Sequence, residues 1–311
     1  MQKDLALILA EAERVISGKS AVIRKIMTAM LAGGHILLDD VPGVGKTSLA
    51  IALSKAMDLS YKRIQFTPDV LPSDIVGFSV YNRDSGKLEY RPGVINSANL
   101  LLGDEINRTS SKTQSALLEA MEEGQITVDG NTYPLKDPFI VIATQNNVGT
   151  AGTQSLPYAQ MDRFMVRLTI GYPDRAAQID LLKNRQNADP LNDVKRIETA
   201  KTLKQMQDEA QQVQTADSIL DYIADLTIAS RDHRQTEIGL SPRAAICIDR
   251  MSKANAYMED RDYVVPEDVS SVFRDVCSHR ILLTREARLS GSTSIQVLDD
   301  ILDTVRVPDL K

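Results

Sequence analysis

Between Val41 and Ser48 the chain reads Val-Pro-Gly-Val-Gly-Lys-Thr-Ser, a set of residue types suited to one kind of ligand. Gly43 and Gly45 allow backbone N–H groups to turn inward on an anion. Lys46 supplies a charge that reaches the outer phosphates of a nucleoside triphosphate. The Thr47 hydroxyl is placed to take one position on Mg2+. The competing reading is a turn that happens to precede a helix. The strict phosphate-loop pattern has one more glycine, where this chain has Asp40. The first turn must then be made without a glycine's freedom, an objection softened because aspartate tolerates left-handed backbone better than most residues.

A second chemical signal is the acidic pair Asp104-Glu105, which ends the apolar run Asn99–Gly103. Two carboxylates at the tip of a buried strand are costly unless they act on something. Asp104 is placed to hold Mg2+, directly or through water. Glu105 is placed to polarise a water for attack on the terminal phosphate. Helix capping is the other use of such a pair, but Asn107, Thr109 and Ser110 lie nearer the next helix and cap better. A third run, Phe139–Ala143, leads through Thr144-Gln145 to Asn146. An amide there could orient the water, touch the γ-phosphate, or only make a turn, and local sequence leaves these equal.

These residues need strands and helices to hold them. Ile36–Leu38 reads as a buried strand, and Leu49, Leu53 and Met57 recur at helical spacing behind the glycine loop. Strand, loop and helix start together place a positive dipole end at the anion. Tyr61–Phe66 alternates as a strand, and Met165–Ile170 as the last one. Residues 79–91 and 125–135 read as hairpins, with turns at Arg-Asp-Ser-Gly and Asp129-Gly130-Asn131. A helix is expected over 110–123. After Gly171-Tyr172-Pro173 the pattern changes, and helices are expected over 174–186, 198–212, 216–231, 242–259, 266–281 and 295–304. The organisation expected is an α/β core over 1–172 and a smaller all-helical domain over 173–311.

Composition excludes several classes. At 43% hydrophobic and 25% charged, the 311 residues are ordinary for a globular protein. No apolar run is long enough to cross a bilayer, and the amphipathic start is not a signal peptide. Cys247 and Cys277 read as buried small hydrophobes in a reducing cytoplasm. His35, His233 and His279 have no ligand spacing. A net charge of −6 and a pI near 5.3 argue against a dedicated nucleic-acid grip.

Taken together, these motifs resemble the AAA+ ATPases, and more closely the MoxR family. The similarity is carried by Leu38–Thr47, Arg63–Asp69, Leu71–Asp74, Asp104–Arg108, Lys112–Glu122, Ala143–Asn146, Asp162-Arg163-Phe164 and Ser241-Pro242-Arg243-Ala244. The family also commonly lacks the first glycine of the loop. The resemblance implies an AAA+ P-loop core followed by an all-α lid, with 79–91 as the helix-2 insert and 125–135 as the hairpin before the sensor strand. It implies that Asn146 senses the γ-phosphate, that Arg163 is an arginine finger across a subunit boundary, and that Arg243 reports nucleotide state to the lid. Ile16 and Gly18 would form the adenine pocket, although Lys19 stands where the family usually has glutamine. The loop residues Val41, Pro42, Gly43, Val44, Gly45, Lys46, Thr47 and Ser48 would bind Mg-ATP, with Thr47 and Asp104 on the metal.

The function implied is ATP hydrolysis in a ring of identical subunits, expected to be a hexamer. The ring would remodel client proteins in a chaperone-like way, in complex maturation or cofactor insertion. Its partners would include proteins with a von Willebrand A domain. Two other classes are a ring-shaped nucleic-acid motor, for which Arg83, Lys87 and Arg91 provide modest charge, and a nucleotide-gated scaffold that barely turns over.

Overall fold

A computed structural model of the chain describes residues 2–145, 156–184, 186 and 189–308, so Asn146 lies outside the described residues. Two amphipathic helices, α1 (Gln2–Val15) and α2 (Ser20–Leu31), precede strand β1 (Ile36–Asp39) and helix α3 (Lys46–Ala56). Then follow β2 (Tyr61–Gln65), α4 (Pro72–Val76), the hairpin β3 (Gly77–Asn82) and β4 (Lys87–Pro92), β5 (Leu100–Asp104) and α5 (Ser111–Glu123). A second hairpin, β6 (Gln125–Val128) and β7 (Asn131–Pro134), leads to β8 (Ile140–Gln145), α6 (Tyr158–Met161) and β9 (Val166–Leu168).

Strands β2, β5, β8, β1 and β9 form one sheet in that order, with every neighbouring pair parallel. A parallel sheet is covered on both faces, which is why Leu100, Leu101 and Leu102 read as an unbroken apolar run and all are fully buried. Parallel strands also put their carboxyl ends on one edge. Asp39, Asp104 and Gln145 therefore end together, and the loop after β1 opens beside the acidic pair. Strand β1 is flanked by the two latest strands, β8 and β9, and ligands of open α/β sheets bind at such a reversal of strand order.

The two hairpins leave this sheet and touch each other through stacked Tyr90 and Tyr133 rings, 4.0 Å between centroids. The β6–β7 turn places Asp129 (φ 49°) and Gly130 (φ 78°) in left-handed backbone, the geometry a tight hairpin needs.

The C-terminal part comprises α7 (Arg175–Asn184), α8 (Ala200–Gln212), α9 (Asp217–Asp232), β10 (Thr236–Ile238), α10 (Pro242–Met258), α11 (Pro266–Cys277), β11 (Leu282–Leu283), α12 (Arg285–Leu289) and α13 (Ser294–Thr304). It is helical apart from β10 and β11, which pair antiparallel and are too short to leave an alternation in the sequence. Helix α11 stops at Cys277, short of the expected 281, so His279 and Arg280 lie in the turn that follows. Apolar packing runs without a break from Ile23, Ile26 and Met30 of α2 into Leu203 and Met206 of α8 and Ile248 of α10. The carbonyls at the end of α2 lack helical partners and are taken from this side. Gln207 Nε2 donates to Met30 O (2.7 Å) and Arg250 Nη2 to Ala32 O (2.7 Å). Among the described residues no helix is long and apolar enough to cross a membrane.

Candidate nucleotide site

Gly43 and Gly45 adopt φ values of 84° and 97°, and Gly45 is the N-cap of α3. A Cβ on Gly45 would come within 2.8 Å of Ile16 Cδ1, so α1 closes on the loop at the one residue type that leaves room. Space over Gly43 is open, with no atom within 4 Å of where a Cβ would stand. Lys46 is buried and its Nζ donates to the Asp40 carbonyl at 3.0 Å. Burial pulls the ammonium below the usual lysine range, while the carboxylates of Asp40, Asp104, Glu105 and Asp39 act the other way. An open glycine turn, the exposed start of a helix and a partly desolvated ammonium fit a chain of phosphates.

Asp40 does not draw on aspartate's tolerance of left-handed backbone; its φ is not among the positive ones. It acts through its side chain instead. Oδ2 accepts from Ile170 N (2.6 Å) and Gly171 N (2.8 Å), and Oδ1 accepts from Val41 N (2.9 Å). The carboxylate thus ties the phosphate loop to the end of β9.

A cleft of about 500 Å³ lies against the loop, lined by Ile16, Lys19, Gly45, Lys46, Thr47 and Tyr172 among others. Ser48 and Val44 also face it; Val41 packs on the apolar core, and Pro42 is exposed. Gly18 (φ 73°) is pressed against α7, where a Cβ would meet that of Ala177 at 2.7 Å. Lys19 Nζ donates to Tyr172 O (2.8 Å), so the residue that replaces glutamine ties the α1–α2 turn to the start of the C-terminal part.

At the acidic pair the parts are linked in series. Glu105 N donates to Thr144 Oγ1 (2.9 Å), and that hydroxyl donates to Asp104 Oδ1 (3.3 Å). Asp104 Oδ2 accepts from Arg63 Nε at 2.7 Å. Glu105 itself has φ 57°, an uncommon conformation for a side-chain-bearing residue. Its Oε2 accepts from Gln65 Nε2 (3.0 Å) and Arg108 Nη1 (2.7 Å). Such backbone is held only when its surroundings over-determine it, and here Thr144, Gln65 and Arg108 do so. Sequence reasoning gave no role to Arg63, Gln65 or Thr144. The available signal was the period of two in β2, which puts Arg63 and Gln65 on one face beside β5.

The remaining candidates lie elsewhere. Arg163 Nε pairs with Glu122 Oε2 (3.0 Å), and Arg243 Nη2 pairs with Oε1 of the same carboxylate (2.9 Å). Neither arginine lines the cleft at Lys46. Glu122 follows Met121, whose carbonyl accepts from His35 Nε2 (3.0 Å) just before β1. The pair therefore sits at the amino edge of the sheet. Five residues of extended chain, a span of about 16 Å, separate His35 at that edge from Asp40 at the start of the phosphate loop. The structure brings together Lys46, Asp104 and Glu105, and separately Arg163 and Arg243.

Residues 35–166 match the model of the ATPase family associated with various cellular activities (AAA), and residues 228–301 match the AAA lid domain. The chain is 44% identical to the uncharacterized protein YeaC of Bacillus subtilis over 99% of its own length and 97% of that protein. It is 34% identical to Chaperone MoxR1 of Mycobacterium tuberculosis, covering 96% and 81% of the two chains. A crystal structure assigned to an ATPase of Cytophaga hutchinsonii superposes with a TM-score of 0.91 at 37% identity, covering 99% and 96%. With a parallel five-stranded core, a helical lid and this likeness along almost its whole length, the chain is a nucleotide-binding ATP hydrolase and belongs to the MoxR family of AAA+ ATPases.

Proposed function

We propose that the chain works as a ring of identical subunits, expected to be a hexamer, that spends ATP on remodelling client proteins. The observation that carries this reading is the separation of the two half-sites. Lys46, Asp104 and Glu105 stand at one edge of the sheet, and Arg163 and Arg243 at the other. A subunit whose arginines cannot reach its own triphosphate can serve the triphosphate of a neighbour. On this reading Arg243 joins Arg163 at the neighbour's nucleotide.

Within a site, Lys46 and the N–H groups of 43–48 would hold the phosphates, and Ile16 and Gly18 would border the base. Thr47 and Asp104 would hold Mg2+, which would supply positive charge against the phosphates. Glu105 would orient and deprotonate the attacking water, and Asn146 would contact the γ-phosphate. The division into a core over 1–172 and a lid over 173–311 belongs to the same proposal, as does a cytoplasmic setting in which Cys247 and Cys277 stay free and buried.

The client is proposed to be protein. Phe78, Val80, Tyr81 and Leu88 along the two strands of the β3–β4 hairpin are all exposed, and exposed apolar side chains suit polypeptide better than phosphate. The chaperone name of a relative supports action on proteins; maturation of complexes or cofactor insertion, with von Willebrand A domain partners, is part of the same proposal. The test is Glu105→Gln. Turnover should fall roughly 10²–10⁴-fold while ATP binding is kept, and the arrested protein should retain clients in a pull-down. Undiminished turnover in that variant refutes the role of Glu105.

A further inference from the structure

Arg280 is 1% exposed, the largest of the fully buried side chains, and it lies in the lid just after α11. Burying a guanidinium is costly, and an apolar residue of similar volume often serves packing as well or better. Arg280 is used differently, because every nitrogen of its fork is engaged. Nε donates to Asp162 Oδ1 (2.7 Å), and Nη2 donates to the carbonyls of Asp162 (2.9 Å) and Phe164 (2.6 Å). Nη1 donates to Met165 O (2.9 Å) and to Val276 O (2.5 Å), the latter near the end of the preceding helix α11. His279 Nε2 adds a second donor to Phe164 O (3.0 Å), and Tyr158 donates its hydroxyl hydrogen to Arg280 O.

The segment gripped in this way is Asp162-Arg163-Phe164-Met165. Carbonyls on both sides of Arg163 are held by the lid, the Phe164 ring is fully buried, and the Arg163 side chain points out to Glu122. The second arginine on Glu122, Arg243, also belongs to the lid. The backbone that aims Arg163 is therefore fastened to the lid as well as to the sheet.

We propose that Arg280 is a positioning residue for Arg163: it makes the Arg163 loop part of the lid, so that lid movement in one subunit sets how far Arg163 reaches into the next subunit's site. This rests on the reading of Arg163 as a group that acts across a subunit boundary. Its consequence is a direction of signalling. The cleft at Lys46 is bordered by Tyr172 and α7, and Gly18 is packed on Ala177, so the occupant of one site touches the start of the lid. The same lid ends on the loop that serves the neighbouring site.

The test uses Arg280→Lys, which keeps the charge beside Asp162 and removes the fork. Affinity for a fluorescent ATP analogue should stay at the wild-type value, and turnover should fall roughly 10- to 100-fold, the usual effect of misplacing a catalytic group by about 1 Å. Hydrogen exchange of the amides over 162–166 should quicken. Mixing Arg280→Lys with Lys46→Ala should raise turnover above the mean of the two alone, since the first supplies a sound phosphate loop and the second a sound Arg163. Mixing Arg280→Lys with Arg163→Ala should give no such gain. Arg163→Ala mixed with Lys46→Ala is the control. Failure to recover there refutes the trans reading, and failure only with Arg280→Lys refutes the positioning role. Wild-type turnover of Arg280→Lys also overturns the proposal. If Arg280→Lys does not fold, Asp162→Asn, which takes the carboxylate from Nε, is carried through the same measurements with the same outcomes.

Discussion

Asp40→Gly restores the residue that the strict phosphate-loop pattern has at this position, and the structure says it should weaken the protein. The Asp40 carboxylate accepts three backbone N–H groups, from Ile170, Gly171 and Val41, at 2.6, 2.8 and 2.9 Å. Bonds of this charged kind contribute about 1.5–3 kcal/mol each, and a buried N–H left without an acceptor costs about 1–3 kcal/mol. Ile170 is 4% exposed, so water does not readily replace the lost acceptor. Glycine adds about 0.5–1 kcal/mol of backbone entropy to be lost on folding. Against these stands the relief of desolvating one carboxylate, and the three bonds do not add independently. A net loss of about 2–4 kcal/mol is expected. The assay is urea denaturation without nucleotide at neutral pH, with Asp40→Asn placed between wild type and Asp40→Gly because its amide oxygen keeps one acceptor. An Asp40→Gly protein as stable as wild type, or more so, would refute the view that Asp40 fastens the loop to β9.

Other consequences can be checked alongside. Gly45→Ala forces a side chain into φ 97° and against Ile16 Cδ1, a strain of roughly 1–2 kcal/mol from the backbone alone, and should weaken ATP binding at least about tenfold by titration; unchanged affinity would show that the loop relaxes freely. Thr144→Val is nearly isosteric but removes the hydroxyl joining Glu105 N to Asp104, and should lower kcat about tenfold or more with KM for ATP little changed, the pattern of a misplaced catalytic group. A rise in KM alone would assign Thr144 to binding. His35 accepts from Val141 N at Nδ1 and donates from Nε2, and burial pulls its pKa from 6.5 to about 4. Because the unfolded chain takes up that proton first, stability should be full above pH 6.5 and fall by about 3 kcal/mol towards pH 4. His35→Gln should flatten that slope in denaturation measured across the window, and an unchanged slope would place the acid sensitivity elsewhere.

The strands and the phosphate loop were legible because each is announced locally. Ile36–Leu38 and Leu100–Leu102 are apolar on both faces, and Gly43, Gly45 and Lys46 are adjacent in sequence. The role of Asp40 has no local signal, because its partners Ile170 and Gly171 are 130 and 131 residues away and residue type suggests only the local option. The meeting of Arg163 and Arg243 on Glu122 had no local signature either, since it depends on how the lid docks. Arg280 falls at the end of the helix expected over 266–281, and only burial distinguishes it. The β10–β11 pair escaped for a different reason: a strand of two or three residues has no period to detect.

The stacking of Tyr90 on Tyr133 has a mechanical consequence. The β3–β4 and β6–β7 arms are separate insertions in the chain, yet their rings meet face to face near their bases. A tug at the Tyr81–Leu88 pair is therefore shared with an arm that grows directly from α5, whose far end starts at Ser111, a short turn after Glu105. Load on the outer arm can bear on the helix that follows Glu105 without passing through the central sheet.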